Sequence, residues 1–125
     1  MGRKTSPTLT DAELRVMQVL WDRKEATVGE VKDALAKKIP LAYSTVLTTL
    51  RILEQKGYIF HKKKSRAFVY SPLVNLTQAR KSALHHLVRK FFQNSPGQLV
   101  LNILDSEKLS TDEIQQLKRK IKEGK

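Results

Sequence analysis

Apolar residues recur at intervals of three and four from residue 12 to residue 53, give way to two short aromatic and β-branched runs at 58–61 and 66–70, and recur at three and four beyond 76. That alternation predicts three helices, a β-hairpin and then further helices. Thr10, Asp11, Ala12 and Glu13 form a capping box, in which a hydroxyl and a carboxylate satisfy amides left unpaired at a helix start, so a helix is predicted to begin near Asp11. Leu14, Met17, Leu20 and Trp21 are expected to form its buried stripe, with Arg15, Gln18 and Asp22 behind. The same device at Thr27 to Glu30, followed by Val31, Ala34 and Leu35, predicts a second helix over about residues 28–38, which Pro40 prevents from continuing. A third helix is predicted from Tyr43 to Lys56, ending at Gly57, the usual residue for a left-handed cap. On it Val46, Leu47, Leu50 and Leu53 share one side, while Ser44, Thr45, Thr48, Ile52 and Gln55 point the other way.

Beyond Gly57, Tyr58-Ile59-Phe60-His61 and Arg66-Ala67-Phe68-Val69-Tyr70 are aromatic and β-branched runs on either side of Lys62-Lys63-Lys64-Ser65. They predict a hairpin with a triple-lysine tip, ended by Pro72. From Leu76 the chain is helical again, with Ala83, Leu84, Leu87, Val88, Phe91 and Phe92 on a broad apolar face that stops at Asn94-Ser95-Pro96-Gly97. Gln98 to Leu104 follows, apolar in nearly every direction through Leu99, Val100, Leu101, Ile103 and Leu104. A third capping box, Ser110 to Glu113, opens a last helix with Ile114, Leu117 and Ile121 on one stripe and Lys118, Arg119, Lys120 and Lys122 at its end.

Lys and Arg number 24 against 12 Asp and Glu, a formal charge of +12, which favours polyanionic partners, nucleic acid first. The absence of Cys removes disulfides, thiolate nucleophiles and Cys-based metal sites. No apolar run is long enough to span a bilayer, and Arg3 and Lys4 are not followed by the apolar stretch of a secretory signal, so the default expectation is a cytoplasmic protein without membrane insertion. His85 and His86 are adjacent and point apart on one helix, a poor chelating arrangement, and no metal or cofactor is expected. No Ser-His-Asp set, phosphate-binding glycine loop or metalloprotease helix motif occurs, so no enzymatic activity is expected.

The fold class that follows is mainly α with a small β-hairpin wing: a winged helix-turn-helix domain at residues 8–74 and a helical dimerisation region at 75–125. In that architecture the third helix enters the major groove, so its outer face must be small and carry hydrogen-bonding groups. Tyr43, Ser44, Thr45, Thr48, Arg51, Ile52 and Gln55 are the candidate base-reading residues, and Lys62, Lys63, Lys64 and Arg66 the candidate phosphate contacts of the wing. The later helices carry more apolar surface than about fifty residues bury alone, which calls for a second copy. Leu84, Leu87, Val88, Phe91, Leu99, Val100, Ile103, Leu104, Ile114 and Leu117 are the candidate dimer contacts. The alternative is a non-specific architectural nucleic-acid-binding protein, for which charge suffices but which needs aromatic rings displayed for stacking.

L-T-D-A-E-L-R-V-M-Q-V-L-W at 9 to 21, S-T-V-L-T-T-L-R-I-L-E-Q-K-G-Y at 44 to 58, L-V-L-N-I-L at 99 to 104 and L-S-T-D-E-I-Q-Q-L at 109 to 117 resemble the penicillinase and methicillin-resistance repressors, the BlaI/MecI family, over nearly the whole chain. The resemblance implies a homodimeric transcriptional repressor that binds a palindromic double-stranded operator. It also implies relief by a membrane sensor-protease pathway that cuts an Asn–Phe bond in the dimerisation region. The aligned bond is Asn102–Ile103, whose second residue departs from the pattern. A second departure is Ile52, where many relatives carry Arg; here Arg51 stands one place earlier, and Ile52 is suited to a thymine methyl. Copper-responsive relatives carry C-terminal cysteines, which this chain lacks.

Overall fold

Helix α1 (Asp11–Arg23), α2 (Val28–Ala36) and α3 (Tyr43–Lys56) precede an antiparallel hairpin of β1 (Ile59–Lys64) and β2 (Ala67–Pro72), and α4 (Leu76–Phe91), α5 (Pro96–Ser106) and α6 (Thr111–Glu123) follow. These elements belong to a computed structural model that describes residues 8–124. Arg3 and Lys4, and the expectation about a secretory signal, lie outside the described residues.

The three expected capping boxes form. Thr10, Thr27 and Ser110 each accept from the amide three residues on, and Glu13, Glu30 and Glu113 reach back to the cap amide. A fourth, unanticipated pair does the same at α4, where Asn75 Oδ1 accepts from the Gln78 amide at 2.8 Å and Gln78 Oε1 from the Asn75 amide at 2.9 Å. Helix α3 ends at Gly57 with φ 89°, a left-handed conformation that a residue with a Cβ adopts only under strain. Helix α2 stops at Ala36, two residues short of the expected end.

Val16, Met17, Leu20, Val31, Leu35, Val46, Leu50, Leu53, Tyr58, Ile59 and Tyr70 form one core under α1, α2, α3 and the base of the hairpin. Each large side chain taken fully out of water there contributes roughly 1.5–3 kcal/mol before entropy is counted. The buried stripe of α1 differs from the expected one: Glu13 and Val16 are buried with Met17 and Leu20, whereas Leu14 is exposed. The Glu13 carboxylate tolerates this burial because one of its oxygens accepts two hydrogen bonds. Glu13 Oε1 accepts from the Thr10 amide at 2.9 Å and from Lys56 Nζ at 2.7 Å, joining the start of α1 to the end of α3. Burial alone would raise the Glu13 carboxyl, but the Lys56 ammonium and the Thr10 amide outweigh it and hold the group below its ordinary value. Burial, with the Glu13 charge adding to it, pushes the Tyr58 hydroxyl up.

The hairpin is tied to the rest of this unit at its base. Ala26, between α1 and α2, pairs with Tyr70 through two backbone hydrogen bonds of 3.0 and 2.8 Å, an isolated one-residue bridge onto β2. Trp21 Nε1 donates to the Val74 carbonyl at 2.9 Å, fixing the stretch that leads into α4. The chain divides into two compact units between His86 and Leu87, inside α4. In the second, Gln93 and Asn94 turn the chain at positive φ, and Ser95 caps α5. Neither α5 nor α6 has a buried residue.

Candidate nucleic-acid interface

Val46, Leu50 and Leu53 are buried along one line of α3, and the helical repeat puts Ser44, Thr48, Arg51 and Gln55 opposite them, all exposed. Thr45 and Ile52, also exposed, lie on one flank; Tyr43, Leu47 and Glu54 lie on the other, toward the hairpin. All seven candidate base-reading residues therefore reach solvent. Leu47 departs from the expected core, being half-buried. Thr49 Oγ1 donates to the Thr45 carbonyl at 2.9 Å, which keeps that hydroxyl within the helix. The outer face of α3 carries long side chains only at Arg51 and Gln55, both hydrogen-bonding, as an element entering a groove requires.

The hairpin corrects one expectation. The three lysines are not its tip: Lys62, Lys63 and Lys64 belong to β1, with Lys64 opposite Ala67, and Ser65-Arg66 make a two-residue turn in which Ser65 has φ 54°. The lysine run lengthens the strand because a two-residue turn with a left-handed first position matches the twist of the paired strands. Strand alternation then separates the cations. Lys63 shares a face with His61, toward α3, whereas Lys62 and Lys64 share the other with Phe60. Lys62 Nζ stands 5.8 Å from the Phe60 ring, and Lys64 Nζ bonds Glu25 Oε2 at 2.9 Å across exposed surface. Arg66 turns instead to a cleft of about 670 Å³ between α3 and the hairpin, whose walls include Arg51, Tyr43, Leu47, Phe68 and Tyr70.

Glu54 and His61, which pattern reasoning did not single out, meet on the hairpin side of α3. His61 Nδ1 lies 2.9 and 2.7 Å from the two carboxylate oxygens of Glu54. The His61 ring stands edge-on to Phe68 at 4.9 Å and tilted against Tyr70 at 5.5 Å. Burial first, then the Glu54 charge, pushes the Tyr70 hydroxyl up, and the Arg51 guanidinium pulls against them. The signal available in the sequence was the two-residue period itself, which sets His61 on the face of Ile59 and Tyr70. Of the hairpin aromatics, Tyr58 and Tyr70 are buried, Phe60 is half-buried and only Phe68 is well exposed, a poor stacking platform for single strands.

The candidate dimer residues lie outside any core. Leu84, Phe91, Val100, Ile103, Leu104, Ile114 and Leu117 are exposed, Phe91 by 67%, and Leu87, Val88 and Leu99 are half-buried. Asn102 and Ile103 sit in the middle of α5, where the Asn102 carbonyl accepts from Ser106 Oγ at 2.6 Å. Among the described residues no group of acidic, His or Cys side chains could hold a metal, and no helix is long and apolar enough to cross a membrane.

A three-helix core, a paired hairpin and a hydroxyl-bearing third helix define a winged helix-turn-helix protein. The chain belongs to the penicillinase repressor family, whose model matches residues 9–123. It is 33% identical over 122 residues to the penicillinase repressor of Bacillus licheniformis, covering 98% of this chain and 95% of the relative. It is 28% identical over 110 residues to the methicillin resistance regulatory protein MecI of Staphylococcus aureus (strain N315), covering 88% and 89%. Among solved structures it is similar to the Bacillus licheniformis BlaI monomeric form in complex with the blaP half-operator, with TM-score 0.52 and 34% identity over 62% of this chain and 93% of that one.

Proposed function

We propose that the chain is a homodimeric, sequence-specific transcriptional repressor acting on a palindromic operator. The observation that carries this is the exposed line Ser44, Thr48, Arg51 and Gln55 beside a cationic hairpin, in a family with a member solved on a half-operator. Residues 8–74 bind DNA: α3 reads base edges in the major groove, with Arg51 suited to guanine and Gln55 to adenine, while Lys63 and Arg66 neutralise phosphates and Lys62 and Lys64 supplement them. Residues 75–125 dimerise, a second copy covering the apolar faces of α4, α5 and α6. Twofold symmetry then sets two α3 helices about 34–36 Å apart, or a multiple of that, along one duplex. The protein acts without an enzymatic step and in the cytoplasm, where the operator lies. Repression is relieved when a membrane sensor-protease pathway leads to cutting of Asn102–Ile103, which requires α5 to unwind locally, since a helical bond does not fit an extended-chain protease site.

Selection of bound fragments from the source genome, followed by sedimentation with the recovered duplex, tests the proposal. The expected result is an inverted repeat bound by two protomers. Recovery of unrelated fragments, or a lone subunit on the duplex at micromolar concentration, would overturn it.

A further inference from the structure

Glu54 is out of place on a surface built for a polyanion. It lies on the flank of α3 that faces the hairpin, in a chain of formal charge +12, and a carboxylate there repels phosphates. Its oxygens lie against His61 Nδ1 at 2.7 and 2.9 Å, and the ring carrying that nitrogen packs against Phe68 and Tyr70 of β2. Among the polar ties of the hairpin, the Ala26–Tyr70 backbone pair and the Lys64–Glu25 ion pair hold it to the α1–α2 connection, while Ile59 and Tyr70 at its base pack in the core with Leu50 and Leu53 of α3. The Glu54–His61 contact adds a direct side-chain polar tie from the hairpin to α3, at the cleft that Arg51 and Arg66 line.

We propose that Glu54 and His61 form a clasp that fixes the distance and angle between α3 and the wing, making both positioning residues for operator recognition. Neither contacts DNA. The clasp holds Thr48 and Lys63, which lie on the two clasped elements, in one geometry before the duplex arrives, so the ordering of the wing is not charged against binding. This deepens the repressor reading and rests on it.

The two roles open to Glu54 predict opposite signs. As a mere surface charge, its removal tightens binding to every duplex; as half of a clasp, its removal loosens binding to the operator. Affinities are measured for a palindromic duplex selected by the wild-type protein from a random library, and for a random-sequence duplex of equal length. Glu54→Ala is expected to weaken the selected duplex by about fivefold, the scale of one side chain left to be ordered, while random duplex is bound as well or better. His61→Phe, which keeps the ring contacts and loses the nitrogen, is expected to match Glu54→Ala, and the double variant to lose no more than either single one. His61→Asn, whose amide nitrogen stands where Nδ1 does, is expected to restore binding to within about twofold by keeping the hydrogen bond. Tighter or unchanged operator binding by Glu54→Ala, additive losses in the double variant, or failure of Asn to restore what Phe loses would each overturn the clasp. If the wild-type protein enriches no palindrome, the repressor reading fails first, a result separate from these.

Discussion

Replacing Glu13 separates two tasks that one side chain performs. Glu13→Gln keeps an acceptor for the Thr10 amide, because glutamine serves equally in a capping box, but removes the charge opposite Lys56. A hydrogen bond between charged partners is worth about 1.5–3 kcal/mol. The Lys56 side chain is 26% exposed and turns partly to water when abandoned, which trims the loss to about 1–2 kcal/mol. Glu13→Ala also leaves the capping amide unmet and costs about 0.5–1 kcal/mol more. For a domain of this size that corresponds to a fall in Tm of about 4–16 °C for Gln and a further few degrees for Ala. Urea unfolding followed by circular dichroism gives the free energies, and repeating it in acid tests their origin. The folded Glu13 carboxyl ionises below its ordinary value of 4.5, so its contribution is present above that pH and is lost as pH falls through the folded value. Wild type and Glu13→Gln should thus differ at pH 7 and converge well below pH 4.5. Equal stabilities at neutral pH, or a gap that persists undiminished in acid, would refute the assignment of this ion pair.

Thr48→Ala is expected to weaken operator binding by about 1–3 kcal/mol and to leave random duplex nearly unaffected, as read by competition binding. Lys63→Ala should weaken both duplexes alike and lower the salt slope of log affinity by about one, whereas Lys64→Ala, whose ammonium already bonds Glu25, should lower it less. Phe91→Glu should shift the protein toward monomer in analytical ultracentrifugation without moving the unfolding of the first unit, since the ring lies outside that core. Leu50→Ala, at the centre of the core, should cost about 2–5 kcal/mol in urea unfolding.

The fold is legible in the sequence where a local signal and the hydrophobic period agree. Three capping boxes and Gly57 mark helix ends because the groups that satisfy them lie within three residues. The exposed face of α3 follows from the same period, which buries Val46, Leu50 and Leu53 whatever stands opposite. What escapes a reading of pattern is long-range pairing. Glu13 looks like one more exposed capping acid, yet it is buried and paired with Lys56, 43 residues on, while Leu14 faces solvent. A run of three lysines looks like a turn because lysine favours exposed sites, yet the register assigns them to the strand and distributes them between its faces. The Glu54–His61 contact depends on how a strand lies across a helix, which neither period encodes.

The chain has one tryptophan, and its indole hydrogen-bonds the backbone just before α4 begins. Nature has thereby installed an optical gauge at the entry to α4. Any event that pulls Val74 from the indole changes the polarity around the sole strong fluorophore, so emission wavelength reports on this contact in unlabelled protein, in real time, with or without a duplex.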